Sequence, residues 1–320
     1  MIQYQNLNDK KYVAVVLSRE NSEQNDGEIA GFGLEIVYSD DANPARILLS
    51  LSKLVQACQS AQKDLAKAIP IVDIEPILIV ENIEHHSILL WLKNAFEPTN
   101  PSLFSVNLEK TSEYFKKSIA AIVSFGNQTN DATDRELNDL SKQILAIANE
   151  ANPNPSYPVY TGLPKRTYLN MLQKFQNATK DLTEQESASF VLPSRERISF
   201  SFPINFSDGN IEDMLTAKTI ENLTRKILKI KKPDYLGSSQ WEFKIDRIIK
   251  AKVSDADWIQ KFHRKEFVLT PGDAIEADVK ETNKFDIDLN IVAQNYEVIK
   301  VHEVLRSYVV DTSDFDDEEE

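Results

Sequence analysis

Between Asn43 and Ala68 the apolar positions Ile47, Leu51, Leu54, Cys58, Ala61, Leu65 and Ala68 recur at alternating steps of four and three. That spacing lays one continuous apolar stripe along a helix. Asn43 is a good N-cap, and Pro44 stands at the first helical position, where its missing N–H costs nothing. Asp40 and Asp41 lie at the positive end of the helix dipole, Lys63 and Lys67 at the negative end. The flanking segments alternate as strands do. Residues 12–17 precede a polar turn, and in 29–38 Phe32, Leu34, Ile36 and Tyr38 share one face. Gly31 and Gly33 on the other face mark a bulge or close packing against a neighbour. After the helix, 71–80 and 87–92 read as a hairpin around a turn at 81–86, with Pro76 indicating an edge or a bulge. The order ββαββ predicts a helix packed on an antiparallel sheet.

Residues 108–125 form a second helical pattern with Tyr114, Phe115, Ile119, Ile122 and Val123 on its apolar face, and a third follows at 135–149. Four prolines within 151–164 then rule out long regular structure and mark a boundary or an extended strap. A helix at 167–182 and strands at 187–192 and 198–206 come next. A helix is expected from 211 to 230, ending in the basic run TRKILKIKK. Residues 241–245 alternate cleanly and pair with 248–253. Asp255 caps a short helix bearing Trp258, Ile259 and Phe262. Short strands at 267–269, 275–279, 287–291 and 296–301 complete the pattern of a small barrel or sandwich with one inserted helix. The fold class is therefore α+β. Its expected parts are a ββαββ domain over 1–105, a helical region over 106–182, a β-rich domain over 183–310 and a disordered acidic tail over 311–320.

Composition narrows the function classes. The 320 residues are 42% hydrophobic and 27% charged, ordinary values for a globular chain. Eight glycines leave little room for glycine-rich phosphate loops, and no Walker loop, dinucleotide fingerprint, HExxH or GxSxG is present. No cofactor is expected. The lone Cys58 falls in the buried stripe, which points to a reducing compartment. No signal peptide or run of about 20 apolar residues is visible, so a cytoplasmic protein without a membrane partner is expected. Seven of the last ten residues are acidic, which leaves −7 of the net charge of −14 for the rest. A mildly acidic body disfavours general duplex binding, although a local basic patch survives that objection.

Three constellations carry chemistry. Pro233-Asp234 followed by Glu242-Phe243-Lys244 has the PD…ExK form of a nuclease site, in which two carboxylates hold a divalent metal and the lysine positions water. Only seven residues separate Asp234 from Glu242, and the competing reading is a strand with Trp241, Phe243 and Ile245 inward and Glu242 and Lys244 solvated. Glu81, Glu84, His85 and His86 are a zinc or manganese donor set by residue type, against a plain polar turn. Arg225, Lys226, Lys229, Lys231 and Lys232 form a basic cluster for phosphate or for the acidic tail, with Phe315 as the tail's aromatic anchor. The competing reading makes them cations at a helix C-terminus.

The runs KKPDYLGSSQWEF, DADWIQKF, LTPGD and YEVIKVHEVL resemble the ending of a family of uncharacterised bacterial proteins. The resemblance covers about the last third of the chain and implies a bacterial β-rich module with no known activity, placed among defence or mobile-element genes. The expected function is non-enzymatic binding of a macromolecule, favouring another protein over nucleic acid. The alternatives are a metal-dependent nuclease using Asp234, Glu242 and Lys244, and an acidic inhibitor that mimics nucleic acid.

Overall fold

Asn43 caps the first helix by accepting the N–H groups of Ala45 (3.0 Å) and Arg46 (3.3 Å), and Pro44 opens it. In the computed structural model, which describes residues 3–7, 10–14, 31–39, 42–68, 74–85, 87–98, 108–150, 162–235 and 239–306, this helix is α1 (Pro44–Ala66). Every residue of the expected stripe is buried, Leu54, Cys58, Ala61 and Leu65 completely, and burial pushes the Cys58 thiol pKa upward. The chain divides into two units, Met1–Met214 and Leu215–Glu320. No helix among the described residues is long and apolar enough to cross a membrane.

In the first unit α1 lies between β1 (Gln3–Leu7), β2 (Lys10–Ala14) and β3 (Phe32–Val37) on one side in sequence, and β4 (Ile74–His85) and β5 (Ile88–Pro98) on the other. Phe32, Leu34 and Ile36 are buried, whereas Tyr38 lies beyond the strand and is exposed. Gly31 and Gly33 mark close packing, as their position suggests: a Cβ at Gly31 would stand 1.7 Å from the Leu92 carbonyl oxygen, and one at Gly33 would crowd Leu89, Val191 and Trp91. Within the expected turn at 81–86, residues 81–85 are instead strand, because β4 continues to His85 across a bulge between Val80 and Asn82. Pro76 is tolerated because β4 pairs, among the described residues, only with β5.

The helical middle comprises α2 (Leu108–Gln128), α3 (Asp134–Glu150) and α4 (Lys165–Thr179). Tyr114, Phe115, Ile119, Ile122 and Val123 of α2 are fully buried, and the Tyr114 hydroxyl donates to the Leu65 carbonyl of α1 at 3.0 Å. Most of the proline-rich stretch (151–161) lies outside the described residues, as do 1–2, 15–30 and the acidic run 311–320 with Phe315. The strands expected at 187–192 and 198–206 do not join the C-terminal strands. β6 (Ser187–Val191) pairs with β3, and β7 (Arg197–Ser199) pairs with β6, giving the order β1-β2-β5-β3-β6-β7 with β4 beside β5. Beyond Ser199 the Phe200 N–H still donates to the Ala188 carbonyl of β6 at 2.9 Å, the chain is then irregular, and Phe200 and Phe206 are buried.

The helix expected at 211–230 is the main error of the periodicity reading. Only α5 (Asp208–Leu215) is helical, and β8 (Lys218–Lys232) follows as a strand of 15 residues. Ile220, Leu223 and Ile227 are spaced as a helix would space them, yet all three are exposed. Leu228 and Ile230 supply the burial instead, on the two-residue period of a strand. Twelve backbone pairs with β11 (Ala274–Phe285) outweigh the local preference. Likewise the three short strands expected at 275–301 are two long ones, β11 and β12 (Ile291–Leu305), and residues 267–269 form none. β9 (Trp241–Lys244), β10 (Ile248–Val253) and α6 (Ala256–His263) stand where the pattern puts them, with Asp255 capping α6.

The five strands of the second unit pair in a closed cycle, β10-β12-β11-β8-β9, with β10 and β12 parallel and the rest antiparallel. Numbered within the unit, the order is 1-2-3-5-4 with a helix between the third and fourth strands, the topology of the small Greek-key OB barrel. Trp241, Phe243, Ile249, Ala251, Ile275, Ala277, Val279 and Val298 fill it, and α6 adds Phe262 against Trp241 at 5.2 Å between ring centroids.

Two stability measurements test this account. Leu54→Ala should cost about 3 kcal/mol in urea unfolding, whereas Leu48→Ala, on the exposed side of α1, should change stability by less than about 0.5 kcal/mol. Similar costs for the two would mean that the stripe is not the buried face.

The second measurement concerns Glu186, which accepts both guanidinium N–H groups of Arg46 on α1 and the Thr183 N–H at 2.8 Å. The Arg46 bonds, then that of Thr183, lower the Glu186 pKa from 4.5 to about 2. A depressed carboxylate stabilises fully above its unfolded pKa, and the gain is lost as pH falls through the folded one. Glu186→Gln should therefore flatten the loss of stability between pH 4.5 and about 2 and leave the rest of the pH profile in place. An unchanged acid limb would show that the pair contributes nothing.

Candidate functional site

The outer face of β8, β9 and β10 follows from strand parity. Trp241 and Phe243 point into the barrel, so Glu242 and Lys244 point out; Ile249 and Ala251 point in, so Ile248, Lys250 and Lys252 point out. The register then sets two rows across the face. One row is Lys229, Lys244 and Ile248; the next is Lys232, Glu242 and Lys250, with Lys231 in the bulge between Ile230 and Lys232. Six lysines thus surround one glutamate. Lys231 reaches Glu242 at 3.7 Å, and none of Lys229, Lys232, Lys244, Lys250 and Lys252 makes an ion pair with a described residue.

The loop from β8 to β9 forms one end of this face. Lys232, Pro233, Asp234, Tyr235, Ser239, Gln240, Glu242 and Lys250 line an open cleft there of about 490 Å³. The Asp234 carboxylate accepts the Ser239 N–H at 2.8 Å and its hydroxyl at 2.6 Å, which pins the loop. Tyr235 rests one side of its ring on Phe262 (centroids 5.4 Å apart) yet remains 60% exposed. At the other end of the face the β9–β10 turn carries Arg247, which donates to Gln294 and to the Tyr296 hydroxyl at 3.1 Å. The β11–β12 loop lies at the same end, held by Asp286, whose carboxylate accepts the N–H groups of Asp288 (2.9 Å) and Asn290 (2.8 Å).

Placement on a strand divides the basic cluster read from the sequence. Arg225 turns to the outer face of the β8–β11–β12 ribbon, bonded to Asp278 at 3.0 Å and to His302 at 3.0 Å. His302 first and Arg225 second hold the Asp278 carboxyl below its usual range. Lys226 points to the opposite face, pairs with Glu281 at 3.0 Å and lies over the Tyr296 ring. Lys229, Lys231 and Lys232 remain on the lysine face, where Lys244, Lys250 and Lys252 join them. The last two are legible in the alternation of IIKAKV, once that segment is read as the strand beside WEFK.

Of the nuclease set, Asp234 and Glu242 line one cleft and Lys244 lies two residues along the same strand face, which is the solvated face of the competing reading. Among the described residues no group of three His, Cys, Asp or Glu side chains is arranged to hold a metal. Of the Glu81–His86 set, Glu84 is engaged by the Arg195 guanidinium (2.9 Å) and the Trp91 indole N–H (2.7 Å), which keep its carboxyl below the usual range, Arg195 more strongly. Glu81 is exposed at the β4 bulge; the His85 side chain and His86 lie outside the described residues.

The net acidity of the second unit is concentrated in residues 311–320. Residues 215–306 carry 17 Lys and Arg against 15 Asp and Glu, in a chain whose net charge is −14. Comparison with protein families, curated proteins and solved structures finds no match to this chain.

Cleavage is testable on single- and double-stranded DNA and RNA with magnesium or manganese. The expected result is no cleavage by the protein. Cleavage that both Asp234→Ala and Glu242→Ala abolish would instead make the cleft a nuclease site.

Proposed function

We propose that the C-terminal barrel binds single-stranded nucleic acid across the outer face of β8, β9 and β10, without chemistry of its own. The observation that carries this reading is Lys229 directly opposite Lys244, with Lys231, Lys232, Lys250 and Lys252 around them. Like charges directly opposite on neighbouring strands destabilise a sheet. A phosphate backbone laid across the rows relieves that repulsion and releases its own counterions.

The surroundings agree with a single strand. Barrels of this topology take oligonucleotides on the face of their second and third strands, between the first–second and fourth–fifth loops. Here those strands are β9 and β10, and the loops are 233–240 and 286–290. Fold analogy alone does not assign function; the lysine rows and Tyr235 are what make it specific. A half-exposed tyrosine backed by Phe262 is a platform on which a base can stack, worth about 1–3 kcal/mol. An acidic protein surface would meet the same lysines but would not use that platform. The small excess of basic over acidic residues within 215–306 also runs against a barrel surface that mimics nucleic acid.

Lys244→Glu separates this reading from a purely structural one. It converts the Lys229–Lys244 repulsion into a cross-strand ion pair, so thermal stability should hold or rise. Binding of a labelled oligothymidylate or oligouridylate of about 20 nucleotides, followed by fluorescence anisotropy, should weaken roughly tenfold, with a shallower salt dependence. Tyr235→Ala should weaken binding and leave the salt slope in place. Oligonucleotide affinity unchanged by Lys244→Glu, or equal affinity for duplex of the same sequence, would overturn the proposal.

A further inference from the structure

We infer that the acidic segment 311–320 docks on the lysine face of the same barrel and competes there with nucleic acid. The docking stands on geometry and charge; the competition rests on the function proposed above.

Strand register places the origin of the segment. Leu305, the last residue of β12, pairs with Ala274 of β11; Ala274 pairs with Lys229 of β8; Lys229 pairs with Lys244 of β9; and Lys244 pairs with Ile248 of β10. Neighbouring strands lie about 4.8 Å apart, so Lys229 is about 10 Å and Ile248 about 19 Å from the end of β12. Arg306 fixes the exit point by donating to the Val268 carbonyl and to Asp273 at 2.7 Å. From there an extended chain advances at most about 3.4 Å per residue, enough for Asp311 to pass Lys229 and for Phe315 to pass Ile248.

The chemistry of the segment matches what it would meet. DTSDFDDEEE carries seven carboxylates and one aromatic residue. Five lysines of the face lack an ion-pair partner among the described residues. Ile248, 53% exposed at the end of the Lys229–Lys244 row, is an apolar seat for Phe315. A short tether holds the carboxylates near the lysines at an effective concentration in the millimolar range, so weak individual pairs suffice. The contacts are exposed and salt-sensitive, with a screening length of about 10 Å at 0.1 M. The face is therefore guarded at low salt, and a long polyanion can displace the segment.

Two readouts on the full chain separate this inference from the proposed function. The first is zero-length carbodiimide coupling of carboxylates to amines, with the linked peptides read by mass spectrometry. Links from 311–320 to Lys229, Lys232, Lys244 or Lys250 are expected, within monomeric protein. The second is oligothymidylate binding by the parent and by a variant in which Asp311, Asp314, Asp316 and Asp317 become Asn and Glu318, Glu319 and Glu320 become Gln. The neutral variant should bind at least about threefold more tightly at about 50 mM salt, with the difference shrinking as salt rises. With Lys229→Glu and Lys244→Glu placed in both proteins, the remaining affinities of parent and neutral variant should become equal, whereas a general loss of repulsion would keep the neutral variant tighter by the same factor. Absence of these links, or links found only between two copies, overturns the docking. Links present with no oligonucleotide bound by either protein would leave the docking standing and remove the nucleic-acid reading. Equal affinity of parent and neutral variant would overturn the competition.

Discussion

Closure of the C-terminal barrel depends on one carboxylate. Asp255 follows β10 and accepts the Trp258 N–H at 3.2 Å, which starts α6, and the Val301 N–H at 3.0 Å, which holds β12; Lys300 pairs with it at 3.2 Å. Burial opposes ionisation of this group, yet the Val301 and Trp258 N–H groups and the Lys300 ammonium prevail and keep its pKa below the usual range. Alongside it, the Ser254 N–H donates to the Val298 carbonyl in the parallel junction of β10 with β12. That junction spans only three residue pairs, so the cap is a large part of what turns an antiparallel ribbon into a closed surface. The lysine rows exist because this closure holds β9 and β10 against β8.

What could be read from the chain depended on whether the decisive contacts were local. α1 is legible because its cap, its proline and its seven-residue stripe all lie within 43–68 and agree with one another. β9, β10 and the capped α6 are legible for the same reason, each carrying its own alternation or cap. β8 was not, because Ile220, Leu223 and Ile227 imitate a helical stripe while the partners that make it a strand lie some fifty residues away in β11. β6 likewise has nothing in its own residues to say that it belongs beside β3.

The same distinction governs the candidate site. Residue types in 225–232 announced a basic feature, but on a strand their side chains go to different faces, and half of the face is supplied by Lys244, Lys250 and Lys252. The repulsive Lys229–Lys244 pair is invisible without the register, since fifteen positions separate the two. Of the PD…ExK residues, Asp234 and Glu242 line one cleft and Lys244 lies further along the strand, while Asp234 also pins its own loop through Ser239.

The position of β3 between β5 and β6 has a consequence for biosynthesis. Gly33 pairs with Trp91 on one side and with Val191 on the other. At usual rates of translation, roughly five to twenty seconds pass between the emergence of Trp91 and that of Val191. During that interval Phe32, Leu34 and Ile36 have α1 and β5 to pack against but still lack the strand that covers the open edge of β3. A nascent chain in that state presents an apolar strand edge to its surroundings, a ready template for mispairing. Holdase chaperones act on such edges, so the yield of native protein should depend more on translation speed and chaperone supply than the stability of the finished sheet would suggest.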